Sequence, residues 1–241
     1  MFTKSAAFYD AIYGFKDYRA ESERVCSIVE ERSREARCLL DVACGTGAHL
    51  THLRERFNVE GIDLDPGMIQ VARSRLPSVP LHVGDMVDFG LGHRFDVVTC
   101  LFSSIGYVGT PERLRAAVAN MARHLSPGGV LIVEPWFTPE TFYPGRLSAT
   151  FVDQPDLKIA RVNVAAVEGK ISVIDFHYLV GTPQGVDSFV ERHELALFRL
   201  DEYEQAFRLA GLDLERLPEG LAGGGERGLL IGQFSGEQRP C

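Results

Sequence analysis

The chain has 241 residues, which at ~150 residues per domain fits one α/β domain with an inserted or appended subdomain as well as two separate domains. Its apolar fraction of 45% and charged fraction of 24% exclude disorder, a collagen-like repeat and a coiled coil as global descriptions. With 25 Lys plus Arg against 33 Asp plus Glu, the formal net charge is −8, which disfavours a nucleic-acid polymer as partner but leaves room for a small phosphorylated ligand beside local cations.

Residues Met1 to Phe15 carry an apolar stretch that Asp10 interrupts. The segment fails as a signal peptide and reads as a short amphipathic helix that begins the fold. Cys38–Ala43 is a buried strand, and Thr46–Phe57 follows as a helix. Val59–Leu64 is the second strand, with Pro66 at the first turn of a helix that runs to about Leu76. Leu81–Val83 is a short third strand and Phe95–Phe102 a fourth. Pro111–Leu125 is helical, with Leu114, Val118, Met121 and Leu125 on one stripe. Ser126-Pro-Gly-Gly129 stops it, and Val130–Val133 is the fifth strand. This alternation predicts an α/β fold with a doubly wound, parallel, Rossmann-like sheet, which places ligands at the carboxyl ends of its strands.

After Pro135 the pattern changes. Ile159–Ala165, Lys170–Val180 and Phe189–Phe198 read as strands around the turn Gly181-Thr-Pro-Gln-Gly185, giving an inserted antiparallel β subdomain. Asp201–Ala210 is a helix ended by Gly211, Gly223-Gly-Gly225 is a loop, and Gly228–Phe234 is a last strand. The expected division is a core over 1–135, the inserted β region over 136–199, and a C-terminal return to the core sheet over 200–241. No apolar run approaches the ~18 residues that cross a bilayer. The five cysteines (Cys26, Cys38, Cys44, Cys100 and Cys241) form no Cys-x-x-Cys pair. That argues against structural zinc and for a reduced, cytoplasmic protein without a membrane partner.

The chemistry concentrates at three strand ends. Strand one runs into Asp41-Val-Ala-Cys-Gly-Thr-Gly47, where glycines let a ligand approach the backbone and the next helix offers free N–H groups. The third glycine of a dinucleotide fingerprint is replaced by Leu50, which disfavours an NAD-dependent oxidoreductase. Asp63 ends strand two, where a carboxylate can accept the hydroxyls of an adenosine ribose. Gly84-Asp-Met86 ends strand three, where an acid and an apolar side chain suit an adenine. Asp65 is placed to cap the helix at Pro66, which leaves Asp63 for a ligand.

In their order and spacing these three motifs resemble the class I S-adenosylmethionine (SAM)-dependent methyltransferases. The resemblance implies SAM over Ala43, Cys44, Gly45 and Gly47, with Asp63 and Leu64 at the ribose, Asp85 and Met86 at the adenine, and Leu101 alongside. Lys16-Asp-Tyr18, Phe102-Ser-Ser-Ile-Gly-Tyr107, Val133-Glu-Pro-Trp136 and Arg227-Gly-Leu further resemble the N,N-dimethyltransferases that finish TDP-linked amino sugars of macrolide-type antibiotics, such as desosamine and mycaminose. That likeness implies a TDP-amino sugar methylated twice at its amine, with the β region covering the sugar nucleotide and contributing to a homodimer. It makes Tyr9 and Tyr18 ligands of the cofactor carboxylate or the substrate. Phe2 stands about where relatives carry a substrate-facing Tyr, and Tyr107 stands where some relatives carry His.

Methyl transfer from a sulfonium needs alignment and exclusion of water more than a strong base. Tyr107 is the catalytic candidate. A phenol near pKa ~10 is a poor base at neutral pH, so its expected role is orientation of the amine. For the substrate, Phe2, Ser104, Trp136, Arg161, His177 and Arg227 are the candidates, with Arg227 on the pyrophosphate and Trp136 on the base or sugar. Each has a plainer reading: Met86 and Trp136 as core, Tyr107 as packing, Arg227 as a surface ion pair, Arg161 and His177 as structural. The other histidines, His193 among them, show no metal-ligand spacing and read as solvated or satisfied. A methyltransferase of another small amine or hydroxyl and a non-catalytic SAM-binding module share the same motifs.

Overall fold

Runs of Leu, Ile and Val in the first half of the chain need cover on both faces, and a parallel sheet flanked by helices supplies it. The computed structural model describes residues 4–221 and 227–234. Phe2, the Gly223–Gly225 loop and Cys241 lie outside the described residues. Strands β1 (Cys38–Val42), β2 (Asn58–Asp63), β3 (Leu81–Val83), β4 (Phe95–Cys100) and β5 (Leu125–Val133) pair in parallel. A meander of four antiparallel strands follows: β6 (Leu147–Gln154), β7 (Leu157–Glu168), β8 (Ile171–Thr182) and β9 (Gly185–Ala196). β10 (Leu212–Leu217) and β11 (Leu229–Phe234) return to the first sheet, whose order is β10-β11-β5-β4-β1-β2-β3, with β11 antiparallel to β5. The helices are α1 (Tyr9–Ile12), α2 (Tyr18–Arg32), α3 (Ala48–Leu53), α4 (Pro66–Arg75), α5 (Pro111–Arg123) and α6 (Leu200–Leu209).

Local chemistry sets most boundaries. Asp65 caps α4 by accepting from the amides of Gly67 at 2.7 Å and Met68 at 3.3 Å, with Pro66 at the first helical position. The expected α5 stripe of Leu114, Val118, Met121 and Leu125 is fully buried. α3 is shorter than Thr46–Phe57, because Gly47 takes a left-handed conformation (φ 73°) and the helix begins only after it. β4 stops at Cys100, two residues early, because Phe102 and Ser103 both have positive φ (52° and 61°) and turn the chain sharply. β5 begins at Leu125 rather than Val130. α5 ends at Arg123, two residues short of the expected Leu125, and the Pro-Gly-Gly segment lies inside β5 as an irregularity in the ladder, between the pairs Phe95–Leu125 and Val97–Val130. β6 and β10 carry no strong strand signal in the sequence; each gains its place by pairing along a neighbour, β7 and β11 respectively.

The first sheet has a core on each face: α5 and α6 cover one, with Met121 and Phe207, and α2, α3 and α4 the other, with Ile28, Leu50 and Ile69. The second sheet buries Ile159, Arg161, Tyr178, Val180, Glu191 and His193 on its inner face and exposes Val162, Val164, Leu179 and Val190 on the outer. The start of the chain packs on that inner face. Glu191, 6% exposed, accepts from the amides of Lys4 at 2.6 Å and Ser5 at 3.0 Å, and from the Ser5 hydroxyl. Asp10 of α1 then reaches the first sheet, accepting from the Thr46 hydroxyl at 2.7 Å and pairing with Arg75. The opening segment thereby joins the two sheets.

Two positions in the first sheet are constrained tightly. A Cβ at Gly61 in β2 would lie 2.7 Å from Leu50, 2.8 Å from Cys44 and 2.8 Å from Leu81. Gly61→Ala should therefore cost about 1–3 kcal/mol in urea unfolding, and an unchanged midpoint would show that these neighbours can give way. Asp41 in β1 is 2% exposed. Burial pushes its carboxyl up to about 6, against the opposing pull of His49 and of the Thr99 hydroxyl bonded at 2.7 Å. A folded carboxyl that holds its proton to higher pH than the unfolded one costs stability as pH rises from about 4 to about 6. Asp41→Asn keeps an acceptor for Thr99 and removes this titration. The variant should gain about 1–3 kcal/mol on the parent across that window, and a stability difference that does not change with pH would contradict the assignment.

Candidate functional site

The carboxyl ends of β1, β2, β3 and β4 open into one cavity. After β1, Ala43 and Gly45 have positive φ (60° and 55°), a conformation that lifts the chain off the sheet. A Cβ built at Gly45 meets nothing within 4 Å, so a side chain there would fill space that the loop leaves open. Asp63 holds this loop from β2. Its Oδ2 accepts the Gly45 amide at 2.8 Å and its Oδ1 the Asp65 amide at 2.9 Å. Burial pushes the Asp63 carboxyl above its ordinary range, with the amides of Asp65 and Gly45 opposing. Asp85 after β3 accepts the Val87 amide at 3.0 Å and pairs with Arg113 at 2.7 Å.

The cavity is lined by Tyr9, Ala43, Gly45, Asp63, Leu64, Asp85 and Met86 from the expected cofactor set, and by Ser104 and Tyr107 from the turn after β4. Met86 also packs on the core, so its two readings are compatible. Four expected cofactor residues stand behind the lining. The Cys44 side chain is buried against the space beside Gly61. Gly47 packs on α4, where a Cβ would meet Leu76 at 2.9 Å. Leu101 is buried in the core. Tyr18 at the start of α2 stacks edge-on against His49, its hydroxyl buried without a hydrogen-bond partner among the described residues. Val42 and Gly84, inside the strand-end motifs, also line it, and sequence reasoning missed Asp65, Met68, Val108 and Arg113, which complete the lining. Arg113 follows the helix signal Thr110-Pro111 and could have been placed near strand three's end only with the sheet order in hand.

The expected substrate residues separate. Phe2 lies outside the described residues. Trp136 donates its indole N–H to Ser172 at 2.8 Å and lines a second cavity with Phe137, Phe142, Tyr143 and Arg146. Arg227 bonds the Ser103 hydroxyl at 2.5 Å, pairs with Glu134 at 3.1 Å and lies over the Trp136 ring. Its charge is thus matched by a buried carboxylate, and it buttresses the Phe102–Ser103 turn, whose Phe102 amide also donates to Glu134 at 2.8 Å. Arg161 is buried under the N-terminal segment, bonded to the hydroxyls of Tyr13 and Thr150 at 3.0 Å each and set over the Phe176 ring. The expectation for His177 is corrected. It pairs with Val162 and Val190, both exposed, and points away from the cavity, because strand alternation sends Tyr178 inward and His177 outward.

Tyr107 sits in the 3-10 turn Ser104–Val108 after β4. Its hydroxyl lies 2.6 Å from Nδ1 of His193 in β9, and burial raises the phenol pKa well above the ordinary value. The orientation role expected of Tyr107 is therefore compatible with its surroundings, and His193 is a residue that its sequence context did not distinguish.

A family profile described as "Methyltransferase domain" matches residues 39–129. The chain is 46% identical over 231 residues to the dTDP-3-amino-3,4,6-trideoxy-alpha-D-glucopyranose N,N-dimethyltransferase of Streptomyces venezuelae, covering 94% of this chain and 96% of that one. It is 42% identical to the dTDP-4-amino-2,3,4,6-tetradeoxy-D-glucose N,N-dimethyltransferase of Saccharopolyspora spinosa, covering 94% and 91%. Among solved structures it superposes on Streptomyces venezuelae DesVI with a TM-score of 0.88 at 44% identity, covering 94% and 98%. It also superposes on SAM-bound CalS10, an amino pentose methyltransferase of Micromonospora echinaspora, with a TM-score of 0.86 at 40% identity, covering 95% and 97%. With likeness of this degree running through both sheets, and with an open glycine loop beside the half-buried carboxylate of Asp63, the chain belongs to the dTDP-amino-sugar N,N-dimethyltransferase family of SAM-dependent methyltransferases.

Proposed function

We propose that this chain transfers methyl groups, first one and then a second, to the amine of a TDP-linked amino-deoxy sugar. The observation that carries the reading is one cavity lined by Asp63, Asp85 and Tyr107 together. SAM, when bound, supplies an electrophilic methyl group on a good leaving group. Asp63, fixed by two backbone amides, offers its carboxylate to the ribose hydroxyls; Asp85 and Met86 take the adenine; Tyr9 covers the cavity against water. Tyr107 holds the neutral amine in line with the methyl carbon. Trp136 stacks on the nucleotide base beside the second cavity. Arg227 keeps the turn that carries Ser104 and Tyr107 in place while it faces the diphosphate. The outer face of the second sheet, with Phe151, Leu179 and Val190 exposed, supports a homodimer formed through that sheet.

Incubation with SAM and a panel of TDP-amino sugars, read by mass, should show gains of one and then two methyl groups on at least one sugar. No gain on any member while a simple amine or a hydroxyl substrate is methylated would overturn the choice of substrate. Asp63→Ala should weaken SAM binding in calorimetry about tenfold or more, as loss of charge-assisted hydrogen bonds requires; equal affinity would remove Asp63 from the cofactor site. Light scattering should give a dimer that Phe151→Asp with Leu179→Asp converts to a monomer. A monomeric parent protein would sink the interface.

A further inference from the structure

We infer that His193 is a positioning residue for the methyl transfer: by accepting the hydroxyl proton of Tyr107, it turns the phenol oxygen's lone pairs toward the substrate amine. The inference deepens the proposed function and rests on Tyr107 facing that amine.

The Tyr107 hydroxyl lies 2.6 Å from His193 Nδ1, within hydrogen-bond reach. A phenol carries a proton to give, and a neutral imidazole with its proton on Nε2 has a bare Nδ1 to receive it, so we assign Tyr107 as donor and His193 as acceptor. The imidazole suits this role because it is 1% exposed, and burial, reinforced by the nearby charge of Arg161, pushes its pKa down to about 3, so it stays neutral. Packing fixes both partners. Phe176 sits edge-on to the His193 ring at 5.1 Å. The turn carrying Tyr107 is pressed onto β9 through Gly106, where a Cβ would lie 3.2 Å from Leu195 and 3.1 Å from Trp136. The alternation Glu191-Arg192-His193 puts His193 on the inner face, facing that turn.

The chemistry needs this polarity. The amine must keep its lone pair free for the methyl carbon, so its N–H groups require acceptors. A phenol free to rotate could donate to that lone pair and mask it. With its proton committed to His193, the Tyr107 oxygen can only accept. In each transfer the nitrogen lone pair forms the N–C bond as the C–S bond breaks with its electron pair staying on sulfur. The resulting ammonium proton leaves to water before the second transfer. His193 takes no proton from the substrate and only decides which partner donates.

His193→Phe removes the acceptor and should lower kcat about three- to tenfold, the worth of one hydrogen bond, with SAM affinity unchanged in calorimetry. His193→Gln, whose side-chain oxygen can still accept, should retain most of the turnover. Tyr107→Phe should show a similar loss, and the double variant Tyr107→Phe, His193→Phe should lose no more than Tyr107→Phe alone. Multiplying losses, or a change in KM with kcat intact, would overturn the inference. So would full activity of His193→Phe. If His193→Phe does not fold, His193→Ala takes its place: it should lower kcat by a similar factor and add no further loss to Tyr107→Phe. The parent enzyme turning over an amino sugar while His193→Phe remains fully active would refute this inference alone, whereas a parent inactive on every amino sugar would refute the proposed function.

Discussion

One carboxylate, that of Glu191, ties the start of the chain to the last strand of the second sheet, taking two backbone amides and a hydroxyl from Lys4 and Ser5. Asp10 makes the matching tie to the glycine loop of the first sheet. Between these anchors Tyr9 lines the cavity at the strand ends and Tyr13 covers Arg161. The Glu191 anchor is no surface contact of small worth. The Glu191 carboxylate is buried and would be left without partners if the segment moved, a cost far above that of an exposed pair. The opening segment is therefore a structural wall of the site and not a tail.

In an acidic chain, cations at a cavity are readily matched by nearby carboxylates. Around the cavities Arg227 is matched by Glu134, Arg113 by Asp85 and Arg75 by Asp10. These arginines orient loops as well as carry charge: Arg75 also bonds the Thr46 carbonyl at 2.8 Å, and Arg227 braces the turn at Ser103. Arg161 differs: it bonds the neutral hydroxyls of Tyr13 and Thr150, and its guanidinium lies over aromatic rings. Ring faces and hydroxyl dipoles hold a weakly hydrated guanidinium where an ammonium would be poorly solvated.

Much of the first sheet was legible because its signals are local. Pro66 and Pro111 mark helix starts, glycines mark the loop after β1, and apolar runs mark strands buried on both faces. The three strand-end motifs could be read as one site because sheet topology fixes where strand ends converge. β6 and β10 escaped because their stability comes from pairing with partners distant in sequence, and half-exposed strands of mixed composition look like loops. His177 was misplaced for a related reason: its face depends on register, and a shift of one residue reverses it.

The sequence by itself determined the alternating core, the glycine loop with Asp63 and Asp85 at the following strand ends, and the kind of ligand such ends can hold, because each depends on residues close in the chain. Only the tertiary structure decided that Asp10 and Glu191 close the site, that Arg227 meets Glu134, and that His193 meets Tyr107 from 86 residues away. These contacts join buried polar groups across separate elements. A buried polar group takes whichever partner the packing brings within hydrogen-bond reach, and no local pattern encodes that choice.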